Sequence, residues 1–220
     1  MDKEIYLLSP TPRDSVISLP IIKFSEIYKD IDFSICDTLM FTSKQAVITV
    51  NNIDKKWKSI PAIAIGKATK NQIDKLGGEV IYQPHHFYGE ELSKDIVNFF
   101  CNRNILYLRP ETISFDSKAY LKKKNILLHE QIIYKTSCIK YNISSQPPID
   151  SIIIFTSPST IKCFLNNFQW IDSYMAIVIG NATKSHLPPN AQCLVADEPL
   201  ISSCIKKAYD YKPLYKLNII

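Results

Sequence analysis

The sequence predicts an α/β protein with two doubly wound parallel-sheet domains, one of which is discontinuous and uses both ends of the chain. Two observations predict this fold. Apolar, strand-like runs alternate with helix-compatible segments, and the chain repeats part of itself at a constant distance. Continuous apolar strands that alternate with helices are typical of parallel sheets covered on both faces.

The repeat consists of two pairs of segments. FTSKQAV at 41–47 returns as FTSPSTI at 155–161, and IGKATK at 65–70 returns as IGNATK at 179–184. The displacement, from 41 to 155 and from 66 to 180, is 114 residues in both pairs. Because two matches share one offset, we interpret them as copies of one structural unit.

The first copy contains the elements of a nearly complete domain. Strands are predicted at 38–41, 62–65, 80–82 and 105–108, and helices after Thr42 and Ser43, after Gly66, from about Glu90 to Phe100 and from about Ser114 to Lys124. The first of these strands ends in Thr-Ser and the second in Gly, and a helix-compatible stretch follows each of them. Thr42 and Ser43 lie where a helix N-cap is expected, as do Thr156 and Ser157 in the second copy.

The second copy has fewer strands than the first. It offers runs at 152–155, 176–179 and 193–195 and a terminal helix from about Leu200 to Tyr209. The N-terminal run at 5–8 is the obvious strand to complete it. The predicted terminal domain is therefore 1–18 with 137–220.

The inserted domain is predicted at 26–125, and the chain must cross between the two domains twice. The β-rich stretches at 19–25 and 126–136 suit these crossings and are predicted to pair as a short two-stranded linker. Ligands of open parallel sheets bind at the carboxyl ends of the strands. We therefore expect a ligand-binding cleft between the two domains.

Composition and missing motifs exclude several functions. The net charge of +5 comes from lysines spread along the chain, so neither nucleic-acid binding nor membrane binding is expected, although a small anionic ligand would suit it. The phosphate-binding loop, the dinucleotide fingerprint and the G-x-S-x-G elbow are absent. The start of the chain does not resemble a secretory signal, and no apolar run approaches the ~20 residues of a membrane helix. We expect a cytoplasmic protein.

Cysteine and histidine spacing does not predict a metal site, and a disulfide is not expected in a reducing cytosol. The six cysteines lie far apart without a C-x-x-C pair, which favours buried or incidental thiols. His85 and His86 are interpreted as part of a solvated loop.

The strand-to-helix turns are the candidate binding elements. The N-terminus of a helix carries free N–H groups and partial positive charge, and it can receive a carboxylate. Such turns are predicted after Ser43, near Gly66, near Gly89, after Ser157 and near Gly180. Each alone is an ordinary N-cap. Together, facing a cleft, they could hold a ligand with many carboxylates.

Several of these segments, in this order, resemble uroporphyrinogen-III synthase. They are FTSKQAV, AIGKATKNQIDKLG, ILYLRP, QIIYKT, FTSPSTIKCF and IVIGNATKSHL. The resemblance implies two flavodoxin-like domains joined by a two-stranded linker. It also implies a cofactor-free lyase of haem biosynthesis that cyclises hydroxymethylbilane to uroporphyrinogen III. In that reaction water is lost and ring D is inverted through a spiro intermediate.

The resemblance also implies roles for individual residues. Tyr134 matches the family's linker tyrosine and is expected to help the substrate hydroxyl leave as water; the alternative is a structural tyrosine. Arg109 is either an anion contact or half of a surface ion pair. The candidate substrate-binding residues are Thr42, Ser43, Gly66, Thr69, Tyr88, Gly89, Ser157, Pro158, Ser159, Gly180, Asn181 and Thr183.

One segment departs from the family pattern. The family usually has a helix between the first strand and the linker, but here residues 9–18 are few, and Pro10, Pro12 and Pro20 lie in or beside them. A covering helix is not expected there, and the shortened segment leaves no safe correspondence between Arg13 and a family arginine.

Two other functions fit the same fold. A non-enzymatic two-lobed sensor would bind a tetrapyrrole or another polycarboxylate without changing it. Tandem receiver-like domains would need clustered acidic residues at strand ends, where this chain has Thr-Ser and Gly. For the enzyme, we expect a monomer and a transient hand-over of substrate from the preceding deaminase.

Overall fold

A computed structural model describes the backbone of residues 3–28 and 30–217, and side chains within these ranges as far as residue 211. The chain divides into two compact units. Unit 1 comprises the described residues of 1–23 and 137–220, and unit 2 comprises those of 24–136. The domain limits proposed from the sequence stay a prediction.

Parallel strands alternate with helices from β4 to β8 in unit 2 and from β9 onward in unit 1. The strands are β1 (Ile5–Leu7), β2 (Ile17–Ser18), β3 (Ile22–Glu26), β4 (Thr38–Phe41), β5 (Ala62–Ala64), β6 (Val80–Tyr82), β7 (Ile105–Pro110), β8 (Leu128–Cys138), β9 (Ile152–Phe155), β10 (Met175–Val178) and β11 (Gln192–Val195). The α-helices are α1 (Lys44–Ile53), α2 (Lys67–Leu76), α3 (Gly89–Phe99), α4 (Ser117–Lys122), α5 (Pro158–Leu165), α6 (Asn181–Lys184) and α7 (Ile201–Leu217). The predicted alternation of strands and helices is confirmed.

The sheet of unit 2 has the order β3-β8-β7-β4-β5-β6. The strands β4 to β8 pair in parallel, and helices cover both faces of the sheet. Leu39 and Phe41 pack with Val47 of α1, whereas Met40, between them in β4, packs with Leu92 of α3. Because alternate residues of one strand enter two cores, the strand must be apolar throughout.

The sheet of unit 1 has the order β11-β10-β9-β1-β2, and all of its pairs are parallel. The N-terminal strand β1 lies between β9 and β2, which confirms that the N-terminal run completes this sheet. Cys204 and Ala208 of α7 cover one face. On the other face, the ring of Phe155 in β9 meets Phe164 of α5 edge-on.

The two sheets have the same arrangement with a shifted starting point. Counted in chain order, the five strands of unit 1 follow the order 2-1-3-4-5, and strands β4 to β8 of unit 2 follow 3-2-1-4-5. If unit 1 is counted from β9 onward and then through β1 and β2, its order also becomes 3-2-1-4-5. The repeat seen in the sequence is therefore a structural repeat in which one copy is circularly permuted.

The predicted linker strands are neighbours, but the second of them also belongs to the sheet of unit 2. The N–H of Ile27 donates to the carbonyl of Ile133 (3.0 Å), and the N–H of Ile139 donates to that of Ile21 (2.9 Å). The partner numbers run in opposite directions, so β3 and β8 are antiparallel. β8 also pairs in parallel with β7 from Leu128 onward. The second linker segment is thus also a strand of the unit 2 sheet.

The connection from β1 to β3 has no helix in its described residues, as the short sequence predicts. Instead β2 adds a short parallel edge strand beside β1. Arg13 is exposed, and its Nη1 donates to the carbonyl of Pro12 (2.9 Å). None of the helices within the described ranges is long and apolar enough to cross a membrane.

The expectation of six unpaired thiols was wrong. A disulfide joins Cys138, the last residue of β8, to Cys163 of α5, and their Cα atoms are 5.2 Å apart. The pairing could not be inferred from a sequence separation of 25 residues. The packing of unit 1 brings the two side chains together. The free cysteines are Cys36, Cys101, Cys193 and Cys204.

Loss of this disulfide is expected to destabilise the protein. A closed loop of this length restricts the unfolded chain by about 3 kcal/mol in the chain-entropy model. The Cys138→Ala/Cys163→Ala variant should therefore unfold at a lower urea concentration than the wild type. The control is Cys101→Ala, which removes an exposed free thiol. Equal midpoints for wild type and double variant would show that the bridge adds nothing to stability.

Candidate functional site

The predicted turns form helix N-termini at the carboxyl ends of the strands. Ser43 is the N-cap of α1 and Ser157 that of α5, as predicted, while Gly66 and Gly180 precede α2 and α6. Tyr88 precedes α3. The first turns of these helices supply N–H groups without intrahelical partners.

Tyr134 and Ser43 are in direct contact, although 91 residues separate them in the sequence. The Oη of Tyr134 lies 2.8 Å from Oγ of Ser43, and either hydroxyl can donate. Ser43 Oγ also accepts the N–H of Ala46 (3.0 Å), which caps α1. The tyrosine that the sequence singled out is therefore attached to the start of a helix by the serine of the FTS motif.

A β-bulge gives Tyr134 its orientation. Arg109 of β7 pairs with Ile132 and Pro110 pairs with Tyr134, so Ile133 is an extra residue in β8. Simple alternation would send Ile133 and Tyr134 to opposite faces of the sheet. With the bulge, both belong to the core that also contains residues of α1. A bulge that redirects a side chain is a common feature beside active sites.

Tyr134 is surrounded by the core of unit 2. It is 4% exposed, and its ring meets that of Phe24 edge-on at 5.6 Å. Burial raises the pKa of Tyr134 above its ordinary value, and the hydrogen bond from Ser43 acts in the opposite direction. The phenol is therefore protonated at neutral pH and can donate a hydrogen bond.

Tyr107 makes a second contact of the same kind and was not predicted. Its Oη lies 2.6 Å from Oγ1 of Thr42, the residue before Ser43. Tyr107 is 2% exposed, and burial raises its pKa to about 12. Two consecutive hydroxyl residues of one turn are thus each held by a buried tyrosine, Thr42 by one from the adjacent strand β7 and Ser43 by one from β8, the next strand beyond it. The available signal was a tyrosine within an otherwise aliphatic strand, close to its carboxyl end.

Arg109 forms a largely buried ion pair, whereas the sequence suggested an anion contact or a surface pair. Its Nε lies 3.5 Å from Oε1 of Glu130, and the two side chains are 15% and 10% exposed. Its Nη1 donates to the carbonyls of Pro110 (2.9 Å) and Glu111 (3.2 Å). Arg109 thus faces Glu130 and the main chain at the end of β7, while its Nε and Oε1 of Glu130 are buried without a hydrogen-bond partner.

Aromatic rings pack against two of the turn glycines. A Cβ added at Gly66 would lie 3.1 Å from ring atoms of Phe87, and one added at Gly89 would lie 2.9 Å from Cβ of Phe115. A Cβ at Gly89 would therefore require Phe115 to shift, and one at Gly66 would crowd the ring of Phe87, whereas open space surrounds the corresponding position at Gly180. Tyr88, beside Gly89, is 54% exposed.

Thr69 and Thr183, in the turns that begin at Gly66 and Gly180, are more buried than their predicted role suggests. Thr69 and Thr183 are each 3% exposed. Each lies three residues after its N-cap glycine, and its N–H donates to the carbonyl of that glycine (3.0 Å in both). Their assignment to substrate binding stays a prediction.

The turn at Ser157 in unit 1 differs from the corresponding turn at Ser43 in unit 2. Ser157 and Thr160 form a capping box, in which Ser157 Oγ accepts the N–H of Thr160 and Thr160 Oγ1 accepts that of Ser157. Pro158 occupies the first turn of α5, and Ser159 is half-buried. Asn181 is exposed at the start of α6. The hydroxyl of Ser157 is thus satisfied within its own turn, whereas that of Ser43 reaches a tyrosine.

Within the ranges described above, no group of three or more His, Cys, Asp or Glu side chains could hold a metal ion. The chemistry available at these turns is hydrogen bonding by hydroxyls and main-chain N–H groups. The turn at Thr42 and Ser43 in unit 2 adds two phenols that remain protonated at neutral pH.

Comparison with known proteins identifies the family. The family model described as uroporphyrinogen-III synthase HemD matches residues 15–206. The chain belongs to the uroporphyrinogen-III synthase family. It is accordingly a cyclising lyase of haem biosynthesis.

Solved uroporphyrinogen-III synthases share the fold. The uroporphyrinogen-III synthetase of Helicobacter pylori superposes with a TM-score of 0.74 at 24% identity, over 95% of this chain and 99% of that one. A mutant synthase of the extremely thermophilic bacterium Thermus thermophilus superposes with a TM-score of 0.59 at 7% identity, over 97% and 99%. No curated protein matches the chain significantly. The mixed α/β architecture with parallel sheets is thus that of the family.

Proposed function

We propose that this uroporphyrinogen-III synthase converts hydroxymethylbilane to uroporphyrinogen III with Tyr134 as the group that assists loss of water. The observation that carries the assignment of Tyr134 is its hydrogen bond to Ser43 at the start of α1. This contact places a protonated phenol beside a helix N-terminus, where the carboxylates of the substrate would also bind.

The hydrogen bonds around Ser43 favour a proton donor at Tyr134. Ser43 Oγ accepts the N–H of Ala46, and a hydroxyl that accepts one hydrogen bond becomes a better donor in the next. Ser43 can therefore give its proton to the hydrogen bond with Tyr134 Oη. When the substrate is bound, its departing hydroxyl supplies the acceptor that the buried phenolic proton of Tyr134 needs, and this hydroxyl leaves as water.

The larger task is to shape the substrate. After the hydroxyl has left, the substituted carbon of ring D attacks and gives a spiro intermediate, which fragments and recloses with the ring reversed. The turns that begin with Ser43, Gly66, Ser157 and Gly180 would hold the acetate and propionate groups through N–H groups and hydroxyls. Tyr88, Gly89 and the remaining turn residues, Thr42, Thr69, Pro158, Ser159, Asn181 and Thr183, belong to the same proposal.

Replacement of Ser43 is expected to weaken catalysis without abolishing it. Ser43→Ala removes the cap of α1 and the partner of Tyr134, but the phenol and the main-chain N–H groups remain. We expect kcat to fall about threefold to tenfold, the equivalent of one lost hydrogen bond. Steady-state rates of uroporphyrinogen III formation measure this change.

The matched control for Ser43→Ala is Asp32→Ala. It removes another cap in unit 2, where Asp32 Oδ1 accepts the N–H of Ser34 (2.9 Å), away from the proposed site. Its rate should equal that of the wild type. A Ser43→Ala variant that is folded but completely inactive would show that catalysis depends on this one hydroxyl. The proposal that many groups share the positioning of the substrate would then be wrong.

An isomer-resolved assay tests the activity. Freshly generated hydroxymethylbilane is supplied to the protein, the products are oxidised, and type I and type III uroporphyrins are separated by chromatography. We expect mainly type III. Type I alone, the product of spontaneous closure, would reject the enzyme and leave the polycarboxylate sensor as the better hypothesis.

The flavodoxin-like description of the fold, the cellular location and the oligomeric state are also part of this proposal. The strand order 2-1-3-4-5 of unit 1 supports the flavodoxin-like description, and unit 2 has the permuted equivalent. We place the enzyme in the cytoplasm as a monomer that receives its substrate transiently from the preceding deaminase. Gel filtration with light scattering tests the monomer.

A further inference from the structure

We propose that Tyr107 is a positioning residue that acts through Thr42, orienting the Thr42 hydroxyl toward a carboxylate of the substrate. The inference rests on the proposed function, because it assigns one donor of the same substrate site. It concerns a residue that neither the motifs nor the fold had singled out.

The direction of the hydrogen bond follows from burial. Tyr107 is 2% exposed, and among the hydrogen bonds of the described residues its hydroxyl has Thr42 as its partner. If Thr42 donated, the phenolic proton of Tyr107 would be buried without an acceptor, which is unfavourable. Tyr107 is therefore the donor and Thr42 Oγ1 the acceptor.

The hydroxyls of Thr42 and Ser43 differ in the hydrogen bonds that their oxygens accept. Ser43 Oγ already accepts the N–H of Ala46, whereas Thr42 Oγ1 accepts no main-chain N–H in the described part of the chain. The oxygen of Thr42 is thus available to accept from Tyr107. The proton of Thr42 then has no acceptor among the described residues. An oriented hydroxyl proton beside the start of α1 is suited to an anionic oxygen.

Tyr107 itself is held firmly in place. It belongs to the central strand β7, where it pairs with Met40 of β4 on one side and Glu130 of β8 on the other. Its ring is part of the core that contains Ile63 and Leu92. A side chain fixed in this way can hold the Thr42 hydroxyl in one orientation before the substrate arrives.

The test is a double-mutant cycle of Tyr107→Phe and Thr42→Val. Because Tyr107 orders a binding group and takes no part in the chemical step, Tyr107→Phe should raise the KM for hydroxymethylbilane about threefold to tenfold and leave kcat within about twofold. Thr42→Val should raise KM at least as much. The double variant should match Thr42→Val, because Tyr107 has nothing left to orient.

A matched control separates this role from loss of stability. Tyr174→Phe removes a buried tyrosine hydroxyl in unit 1 that donates to the carbonyl of Pro147. It should lower thermal stability by a similar amount and leave KM unchanged. The double variant also guards against a misfolded single variant, because it replaces both partners with apolar groups.

Three results would overturn the inference. They are a KM for Tyr107→Phe equal to that of the wild type, an effect on kcat alone, and single effects that multiply independently in the double variant. Failure of the proposed function gives a different result, because the wild type itself would then form only type I product.

Discussion

Tyr134→Phe is expected to lower kcat about 100-fold, the largest loss among single replacements in the proposed site. A phenol that donates to a leaving hydroxyl contributes as a general acid does, typically about 10² or more. The replacement keeps the ring, its contact with Phe24 and its place in the core. It removes only the hydroxyl that bonds Ser43. Single-turnover measurement of type III product reports the chemical step.

The matched control for this prediction is again Tyr174→Phe, since Tyr174 is also a buried tyrosine whose hydroxyl is hydrogen-bonded. Its kcat should equal that of the wild type. A rate for Tyr134→Phe close to that of the wild type would remove the assigned role and leave Tyr134 as a structural residue of β8.

The role proposed for Tyr134 also predicts how the reaction rate depends on pH. Burial raises the pKa of Tyr134 above its ordinary value of about 10, so the phenol keeps its proton through neutral and mildly alkaline pH. The ratio of wild-type to Tyr134→Phe rates should therefore stay constant between about pH 6 and 9. A ratio that falls within this range would show that the phenol loses its proton there.

Trp57→Ala is expected to give the largest loss of stability, about 3–5 kcal/mol in the free energy of unfolding. Trp57 is fully buried in unit 2, and its ring meets Phe41 edge-on at 5.9 Å. It also packs so closely on Gly78 that a Cβ there would lie 2.4 Å from its ring. The cavity left by the ring cannot close without movement of β4. Urea unfolding of the variant and the wild type measures the difference.

Phe99→Ala serves as the control for Trp57→Ala, because it also removes a large aromatic ring from unit 2, but one that is 65% exposed. Its free energy of unfolding should change by less than about 1 kcal/mol. A similarly small change for Trp57→Ala would mean that the core repacks around the missing ring. The predicted cavity would then be wrong.

The repeat explains why so much of the architecture could be predicted. Its offset of 114 residues maps β4 (Thr38–Phe41) onto β9 (Ile152–Phe155) without error. Because these strands are buried on both faces, each must be apolar along its whole length, and such runs are conspicuous in a sequence. The caps at Ser43 and Ser157 were predictable for a similar reason, since capping depends on near neighbours.

Contacts between distant segments were less predictable. The resemblance to the family selected Tyr134, but its hydrogen-bond partner Ser43 emerged only when β4 and β8 were both placed in one sheet. Tyr107 lies in the segment ILYLRP, but nothing in that segment singled out the tyrosine, since an aliphatic strand with one tyrosine is an ordinary core strand. The disulfide between Cys138 and Cys163 was missed because the prediction assumed a reducing cytosol and because thiols that are far apart in sequence reveal no pairing.

The sequence by itself determined the class of fold, the assignment of both chain ends to one unit, the helix caps and the family. The fold class and the caps follow from local patterns of apolar and hydroxyl residues, the place of the chain ends from the repeat, and the family from the order of the resembling segments. Only the tertiary structure decided the bulge at Ile133, the two tyrosine–hydroxyl pairs at Thr42 and Ser43, and the buried partner of Arg109. The physical reason is that strand register and side-chain direction depend on the pairing of segments that are remote in sequence.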